Sequence, residues 1–352
     1  MADPLLMALW SLSLVMAAIS VGILGVVIVQ RLISQNGRMK REKLREALIQ
    51  ELFTVTDDWR QSVEPLKPLI LDGKMVGQTI IEYTTLVRGS DLDNAACALR
   101  AAGAEHKIIS TLTKGAYKYR RVAAEALSIF RSEKSIAALR AVLFGNAPGT
   151  VKVAAARSLL SLGAPLPLDD VVSQFQTAEL DVPLELIAVL EAYAKASPEA
   201  LAERLEGGSD SVELRCLMID ALGKCDAYNA IPVLEQCALD PSSRVRATAI
   251  RALGRLELPI SASVLDAALV DNSNDVRAEA VEAIGAVVMP EYAGKLEEML
   301  DDRDWKVRFG AGAAMVALGK VGQDRLSTVA AGGASEVARR TASLTLTEKV
   351  AA

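Results

Sequence analysis

The chain has 352 residues, of which 51% are hydrophobic, only 4% are aromatic and 56 are alanine. This composition favours closely packed helices over a sheet-rich core, because strands are enriched in β-branched and aromatic residues. A single histidine, His106, argues against most histidine-based catalysis and metal binding, and the net charge is −5. The four cysteines are typical of buried thiols in a reducing compartment, since disulfide frameworks belong mainly to small secreted domains.

Residues 5–29 contain no charged side chain. As a helix they would extend about 37 Å, which is more than the roughly 30 Å of a bilayer's hydrocarbon core. The alternative is a cleaved signal peptide, but such peptides start with basic residues and have an apolar stretch of only about 7 to 15 residues. Here Asp3 precedes a longer run. The sequence therefore predicts a transmembrane anchor over residues 1–37, with lipid contact through residues 5–29.

The charges that follow this run predict its orientation. Between positions 31 and 45 there are six basic residues and one acidic residue, and the flank includes Arg31, Arg38, Lys40 and Arg41. Under the positive-inside rule, the N-terminus lies outside and the rest of the chain in the cytoplasm, as in a single-pass protein of a bacterial inner membrane. Ala18 and Gly22 have a spacing that would admit a second transmembrane helix as a partner, although small residues are common in such spans.

Residues 38–89 lead into the remainder of the chain. Apolar side chains at helical spacing between positions 39 and 53 predict a juxtamembrane helix. Residues 54–89 contain Pro65 and Pro68, and we interpret them as a linker followed by an irregular first pair of helices.

A pattern with a period of 31 residues organises the C-terminal half. Arginine recurs at Arg246, Arg277 and Arg308, and the same step leads to Arg215 and Arg339. In the three central units, alanine occupies the third and sixth positions after the arginine. An aspartate stands six residues before each of these arginines, at Asp240, Asp271 and Asp302. Each arginine segment follows another helical segment, so the unit is a helix, a turn and a helix.

The motif D-x-x-x-x-V-R-x-x-A-x-x-A-(L/I)-G resembles the HEAT repeat, of the short bacterial kind related to the PBS-lyase HEAT-like repeats. The resemblance covers roughly residues 90–350, with weaker copies at Arg120 and Lys152. It implies an all-α protein in which about eight repeats over residues 90–352 form a right-handed α-solenoid, preceded by the one transmembrane helix. It also implies that the arginine helices line the concave face, and that the aspartates and arginines form a structural ladder between successive repeats.

Residues 163–209 depart from the repeat pattern. Prolines interrupt this stretch, and Leu184 stands where the arginine is expected. The departure predicts an irregular repeat and a change in superhelical curvature, with plain sequence drift as the alternative.

No motif for phosphate, dinucleotide or zinc-dependent catalysis occurs in the chain. We therefore expect no catalytic residue, no cofactor, no metal site and no enzymatic activity. Since positive charge is concentrated before residue 46, the remainder is acidic and nucleic acid is not an expected partner.

The fifth residue after each repeat's reference position predicts which side chains face a partner. These positions give a mixed charge pattern, at Glu125, Arg157, Asp220, Arg251 and Glu282, and an apolar residue near the end, Leu344. With Phe309 beside it, the apolar end is a candidate docking patch for protein. The alternative for Phe309 is packing between repeats.

These features together predict a membrane-tethered scaffold or adaptor. It would organise or regulate a membrane-associated protein complex at the cytoplasmic face of the inner membrane, such as a polysaccharide synthase, a secretion system or a transport machine. The alternative is a partner-dependent subunit of a lyase-like or hydroxylation-linked enzyme, which rests on analogy at the level of fold.

Overall fold

The computed structural model describes residues 41–164, 166–175, 184–208, 210–332 and 335–351, with the isolated residues 16, 20, 22, 24 and 39. Every secondary-structure element within these residues is a helix, so the predicted all-α fold is confirmed. The chain divides into two compact units, Met1–Gly145 and Asn146–Ala352. The domain boundaries predicted at residues 37 and 89 stay predictions, as does the right-handedness of the array.

The first unit contains seven α-helices among the described residues. In chain order they are α1 (41–53), α2 (Val63–Leu66), α3 (Gly73–Leu86), α4 (Ser90–Ala101), α5 (Ala104–Lys114), α6 (Tyr117–Ala126) and α7 (Glu133–Leu143). Short 3₁₀ turns cover Trp59–Ser62, Lys67–Leu69 and Leu127–Ile129.

Helix α3 is central to this unit, because it packs against both α5 and α6. Its first residue, Gly73, allows the approach to α5: a Cβ atom there would lie only 2.3 Å from the main-chain oxygen of Lys107. The buried carboxylate of Glu105 accepts hydrogen bonds from the hydroxyls of Ser132 and Ser135. These contacts fix the unit internally and leave no buried carboxylate unpaired among its described residues.

The second unit contains thirteen α-helices among the described residues. They are α8 (Gly149–Ser161), α9 (Leu168–Ser173), α10 (Leu184–Ala196), α11 (Pro198–Glu206), α12 (Val212–Lys224), α13 (Ile231–Cys237), α14 (Ser243–Arg255), α15 (Ala262–Leu269), α16 (Asn274–Val287), α17 (Ala293–Met299), α18 (Trp305–Ala317), α19 (Lys320–Gly332) and α20 (Glu336–Ala351).

The helices α12, α14, α16 and α18 carry the 31-residue pattern and pack side by side, each against the next. The shorter helices α13, α15 and α17 pack against the pattern-bearing helix that follows each of them. The four pattern-bearing helices each contribute fully buried apolar side chains to the core, for example Leu222, Ile250, Val281 and Met315. A single hairpin could not bury these side chains, so stability comes from the stacking of neighbours.

A left-handed backbone residue recurs just beyond the C-terminal end of each of these four helices. Asp226, Glu257, Val288 and Gly319 have φ values of 52°, 53°, 58° and 68°. Glycine adopts this conformation without steric cost, whereas a β-branched residue such as Val288 is strained there. The stacking of the repeats therefore imposes the same turn on four different residue types.

The structure corrects one prediction, the localisation in a membrane. None of the helices in the described residues is long and apolar enough to cross a bilayer. The longest, α20, has 16 residues, which corresponds to about 24 Å against a hydrocarbon core of roughly 30 Å. The predicted span 5–29 lies outside the described residues apart from four isolated positions, as do Arg31, Arg38 and Lys40. The described helices thus provide no span, and they do not support the prediction of a single-pass inner-membrane protein with a cytoplasmic solenoid.

Candidate functional site

Small residues set the spacing of the helices that form the candidate site. Glycine and alanine face each other in three pairs, Gly223 with Ala252, Gly254 with Ala283, and Gly285 with Ala314. A Cβ atom on any of these glycines would lie within 3.0 Å of its alanine partner. Any larger side chain would push the helices apart, so these pairs hold α12, α14, α16 and α18 at close range.

Arginine–aspartate pairs join the same repeats at the other end of the helices. The Nε and Nη2 atoms of Arg246 donate to the carboxylate of Asp271, both at 2.8 Å, and Nη1 donates to the main-chain oxygen of Asp240 at 2.9 Å. Arg277 repeats this geometry with Asp302 and with the main-chain oxygen of Asp271, all at 2.8 Å. Each guanidinium therefore ties its own turn to the turn of the next repeat.

The aspartates of this ladder also close their own turns. Asp271 and Asp302 each accept a hydrogen bond from the main-chain N–H two residues further on, at 2.8 Å. Burial opposes ionisation of both carboxylates, but the arginine and main-chain donors outweigh it and lower the pKa of each. The ladder carboxylates are therefore ionised at neutral pH, as the pairing requires.

The ladder changes at both ends. It still includes Arg215, which pairs with Asp240 at 2.6 and 3.0 Å. At the C-terminal end, Arg308 donates only to the main-chain oxygens of Asp302 and Arg303 among the described residues, and Gly333 stands in the sequence where the next aspartate would be.

At the other end, Leu184 occupies the arginine position and 80% of it is exposed. Arg204 takes over its role and binds the carboxylate of Asp210 with two nitrogen atoms, at 2.8 and 2.7 Å. The same guanidinium also pairs with Asp169. The sequence pattern missed Arg204, because it lies on α11 rather than at the repeat position.

The exposed faces of the four pattern-bearing helices line a groove of about 890 Å³. Three of the residues predicted to face a partner from the fifth position of the repeat, Asp220, Arg251 and Glu282, lie in it, and so does Phe309. The groove also contains Arg244, Thr248, Asp275, Glu279, Trp305 and Lys306. These residues lie three, four or seven positions from the predicted ones, on the same helix faces, so the helical period could have indicated them.

The other predicted contact residues lie elsewhere. Glu125 belongs to the first unit and forms an ion pair with Arg121 on the same helix. Arg157 lines a smaller cavity beside α10, of about 290 Å³. Leu344 is 58% exposed on α20 and does not line the groove.

Two of the three basic residues that line the groove, Arg244 and Arg251, lie on α14 and pair with carboxylates. Arg251 lies 3.4 Å from the carboxylate of Glu279 and donates to the Thr248 hydroxyl at 3.2 Å, while its buried Nε has no partner among the described residues. Arg244 pairs with Glu213 at 3.0 Å.

Two of the acidic residues of the groove have opposite pKa shifts. Burial raises the pKa of Glu279, and Arg251 opposes that shift. For Asp220, burial is outweighed by hydrogen bonds from Lys224 and Arg255, so its pKa is lowered.

Two aromatic side chains on α18 stand open to solvent at one side of the groove. Trp305 is 62% exposed and Phe309 is 54% exposed. They are four positions apart and therefore lie on the same face of the helix. Exposed aromatic residues of this kind are enriched at protein interfaces. Phe309 is therefore not buried between repeats, and its role in docking stays a prediction.

No three His, Cys, Asp or Glu side chains in the part of the chain that the structure describes are grouped so that they could bind a metal ion. The arrangement offers paired charges, free carboxylates and apolar surface.

Several solved structures are similar to this chain at low sequence identity. A search of curated proteins finds no match. An engineered protein of known structure is similar at 16% sequence identity and a TM-score of 0.34, over 88% of this chain and 99% of the other. Human deoxyhypusine hydroxylase is similar at 20% identity and a TM-score of 0.32, over 80% of this chain and 98% of the other. Kap121p is similar at 11% identity and a TM-score of 0.43, over 87% of this chain but only 44% of Kap121p.

The family comparison matches a specific part of the chain. The model of HEAT repeats matches residues 198–285, which run from the start of α11 through most of α16. This stretch includes two of the bidentate ladder pairs and the centre of the groove. The match supports a HEAT-like assignment for residues 198–285.

Proposed function

We propose that this chain is a scaffold or adaptor that binds a partner protein in the groove formed by α12, α14, α16 and α18. The observation that carries the proposal is the exposure of Trp305 and Phe309 beside free carboxylates in one groove. Large exposed aromatic side chains that line a depression are a cost to a protein without a partner, and they are typical of interface centres.

A second part of the proposal is that the chain is not itself an enzyme. Its support is the absence from the sequence of recognised catalytic motifs, and the groove offers paired or solvated charges rather than a nucleophile beside a base. Purified protein with a visible chromophore or a stoichiometric metal, by absorption or elemental analysis, would instead support the partner-dependent enzyme subunit.

The direct test is photo-crosslinking in the native cell with p-benzoylphenylalanine placed at position 309. We expect a crosslink to one protein in high yield. Position 270 is the matched control, because Val270 is 77% exposed and lies outside the groove. The variant Trp305→Ser/Phe309→Ser should lose the partner in co-purification, whereas Leu239→Ser/Val270→Ser should retain it. Equal crosslinking at positions 309 and 270 would refute the groove as the binding site.

A further inference from the structure

The acidic residues of α16 form a row along the groove that the protein itself neutralises at only one position. Asp275, Glu279 and Glu282 occupy positions i, i+4 and i+7, which lie on one face of a helix. Asp275 and Glu282 are exposed, and neither has an ion-pair partner within 4 Å among the described residues. Only Glu279 has one, through Arg251.

The groove's other charges leave two members of this row, Asp275 and Glu282, without an ion-pair partner among the described residues. Arg251 forms an ion pair with Glu279, and Arg244 forms one with Glu213. The carboxylate of Asp220 is satisfied by Lys224 and Arg255. Among the residues described, Lys306 is the one basic side chain that lines the groove without a carboxylate within 4 Å. The centre of the groove therefore presents two free carboxylates beside an aromatic patch.

The geometry of these groups limits the occupant. Asp275 and Glu282 are seven positions apart, so about 10 Å separates them along the helix axis. A segment in the polyproline II conformation has three residues per turn and rises about 3.1 Å per residue, so basic side chains three positions apart lie on one face about 9 Å apart, close to this distance. The neighbouring helix α18 supplies Trp305 and Phe309, which suit an apolar side chain and, in the case of Trp305, also a cation.

We infer that the groove binds a partner segment with two lysine or arginine side chains about 10 Å apart and an adjacent apolar side chain. This inference rests on the proposed function and specifies the chemistry of the partner. The basic groups pair with Asp275 and Glu282, and the apolar group packs on Trp305 and Phe309. An acidic segment would meet the same carboxylates without compensation and is excluded by repulsion.

The test is selection of random 12-residue peptides on the full-length protein by display, followed by binding measurements on the enriched peptides by fluorescence anisotropy. We expect the enriched peptides to carry at least two basic residues, most often three positions apart, together with an aromatic or aliphatic residue. Their affinity should fall as salt rises, because charge pairs at an exposed groove are screened.

Two variants separate charge at the groove from charge elsewhere. Asp275→Asn/Glu282→Gln should weaken binding of these peptides at least tenfold. Glu298→Gln/Asp324→Asn removes the same charge from exposed positions outside the groove and should leave affinity within twofold. Circular dichroism and thermal unfolding confirm that both variants are folded.

The outcomes distinguish this inference from the proposed function. Enriched peptides that are acidic or uncharged, or that bind the Asp275→Asn/Glu282→Gln variant unchanged, overturn the inference. If p-benzoylphenylalanine at position 309 still captures one partner protein in that case, the inference fails but the proposed function stands. If no peptide depends on the groove and position 309 crosslinks nothing above the control, both fail.

Discussion

The substitution Arg277→Ala tests whether the ladder holds the repeats together. Arg277 is 4% exposed, and its guanidinium makes two hydrogen bonds to the Asp302 carboxylate and one to each of two main-chain oxygens, those of Asp271 and Asn272. Removing it leaves Asp302, whose side chain is 9% exposed, with a main-chain N–H as its remaining donor. Breaking a buried pair in this way costs about 3 to 5 kcal/mol, because the remaining charge is buried without compensation.

Arg308→Ala is the matched control. Arg308 occupies the same position one repeat later and donates to two main-chain oxygens, at 2.8 and 3.2 Å. The aspartate that would pair with it is replaced in the sequence by Gly333. Its loss leaves no carboxylate unpaired, so we expect a cost of about 1 to 2 kcal/mol.

Hydrogen exchange followed by mass spectrometry measures these costs where they arise, in the amides of α16 and α18. A local cost of about 3 kcal/mol raises exchange about 100-fold or more, since each 1.4 kcal/mol is a factor of ten. Arg308→Ala should raise exchange about tenfold. Global melting is a weaker measure, because a repeat array need not unfold in one step.

A double-mutant cycle with Asp302→Ala isolates the pair. Each single substitution leaves a buried partner unpaired, so the double variant should be less destabilised than the sum of the two. Equal effects of Arg277→Ala and Arg308→Ala, or strictly additive single effects, would refute a structural ladder. Lost partner binding with unchanged exchange would instead indicate that Arg277 contacts the partner directly.

Three further predictions concern stability. Val288→Gly should stabilise the chain by about 1 kcal/mol in urea unfolding, because it relieves a left-handed conformation of a β-branched residue; destabilisation would show that the side chain's contacts outweigh the strain. Gly285→Ala should destabilise by about 1 to 3 kcal/mol, because its Cβ would lie 2.9 Å from a backbone atom of α18, whereas Gly294→Ala, which meets nothing within 4 Å, should not. Equal effects of the two would contradict the close approach. The lowered pKa values of Asp271 and Asp302 mean that the unfolded chain binds protons more readily, so stability from the ladder is present above about pH 4 and lost as pH falls below it. Urea midpoints measured between pH 6 and 3 should therefore fall less in Asp302→Asn than in the unaltered chain.

The repeat could be predicted from the sequence where each unit makes the same contacts as the last. Arg246 and Arg277 have equivalent hydrogen-bond partners one repeat apart, so their 31-residue spacing was enough to predict the repeat. The family resemblance also implied a ladder of aspartates and arginines between successive repeats. In the structure, Asp271 binds Arg246 and Asp302 binds Arg277, each from the repeat that follows. The prediction did not reach the ends of the ladder, because Arg204 replaces the missing arginine from a different helix.

The groove was only partly predictable for a related reason. Reading one position per helix found Asp220, Arg251 and Glu282 but missed Trp305 and the rest of the α16 row. A helix face includes positions three and four residues away, and which of these border one groove depends on how neighbouring helices are aligned. The left-handed turns were equally hidden, since Val288 gives no local signal of the conformation that stacking imposes on it.

The second unit separates positions that repeat from positions that vary. The glycine–alanine pairs and the arginine–aspartate pairs recur in register, and they fix how far apart and at what stagger α14, α16 and α18 lie. The fifth position of each repeat changes from Asp220 to Arg251 to Glu282, although the backbone at these sites is equivalent. Substitutions at the repeating positions should therefore change stability with little effect on specificity. Substitutions in the groove should do the reverse, because the rigid neighbours keep each remaining side chain in place.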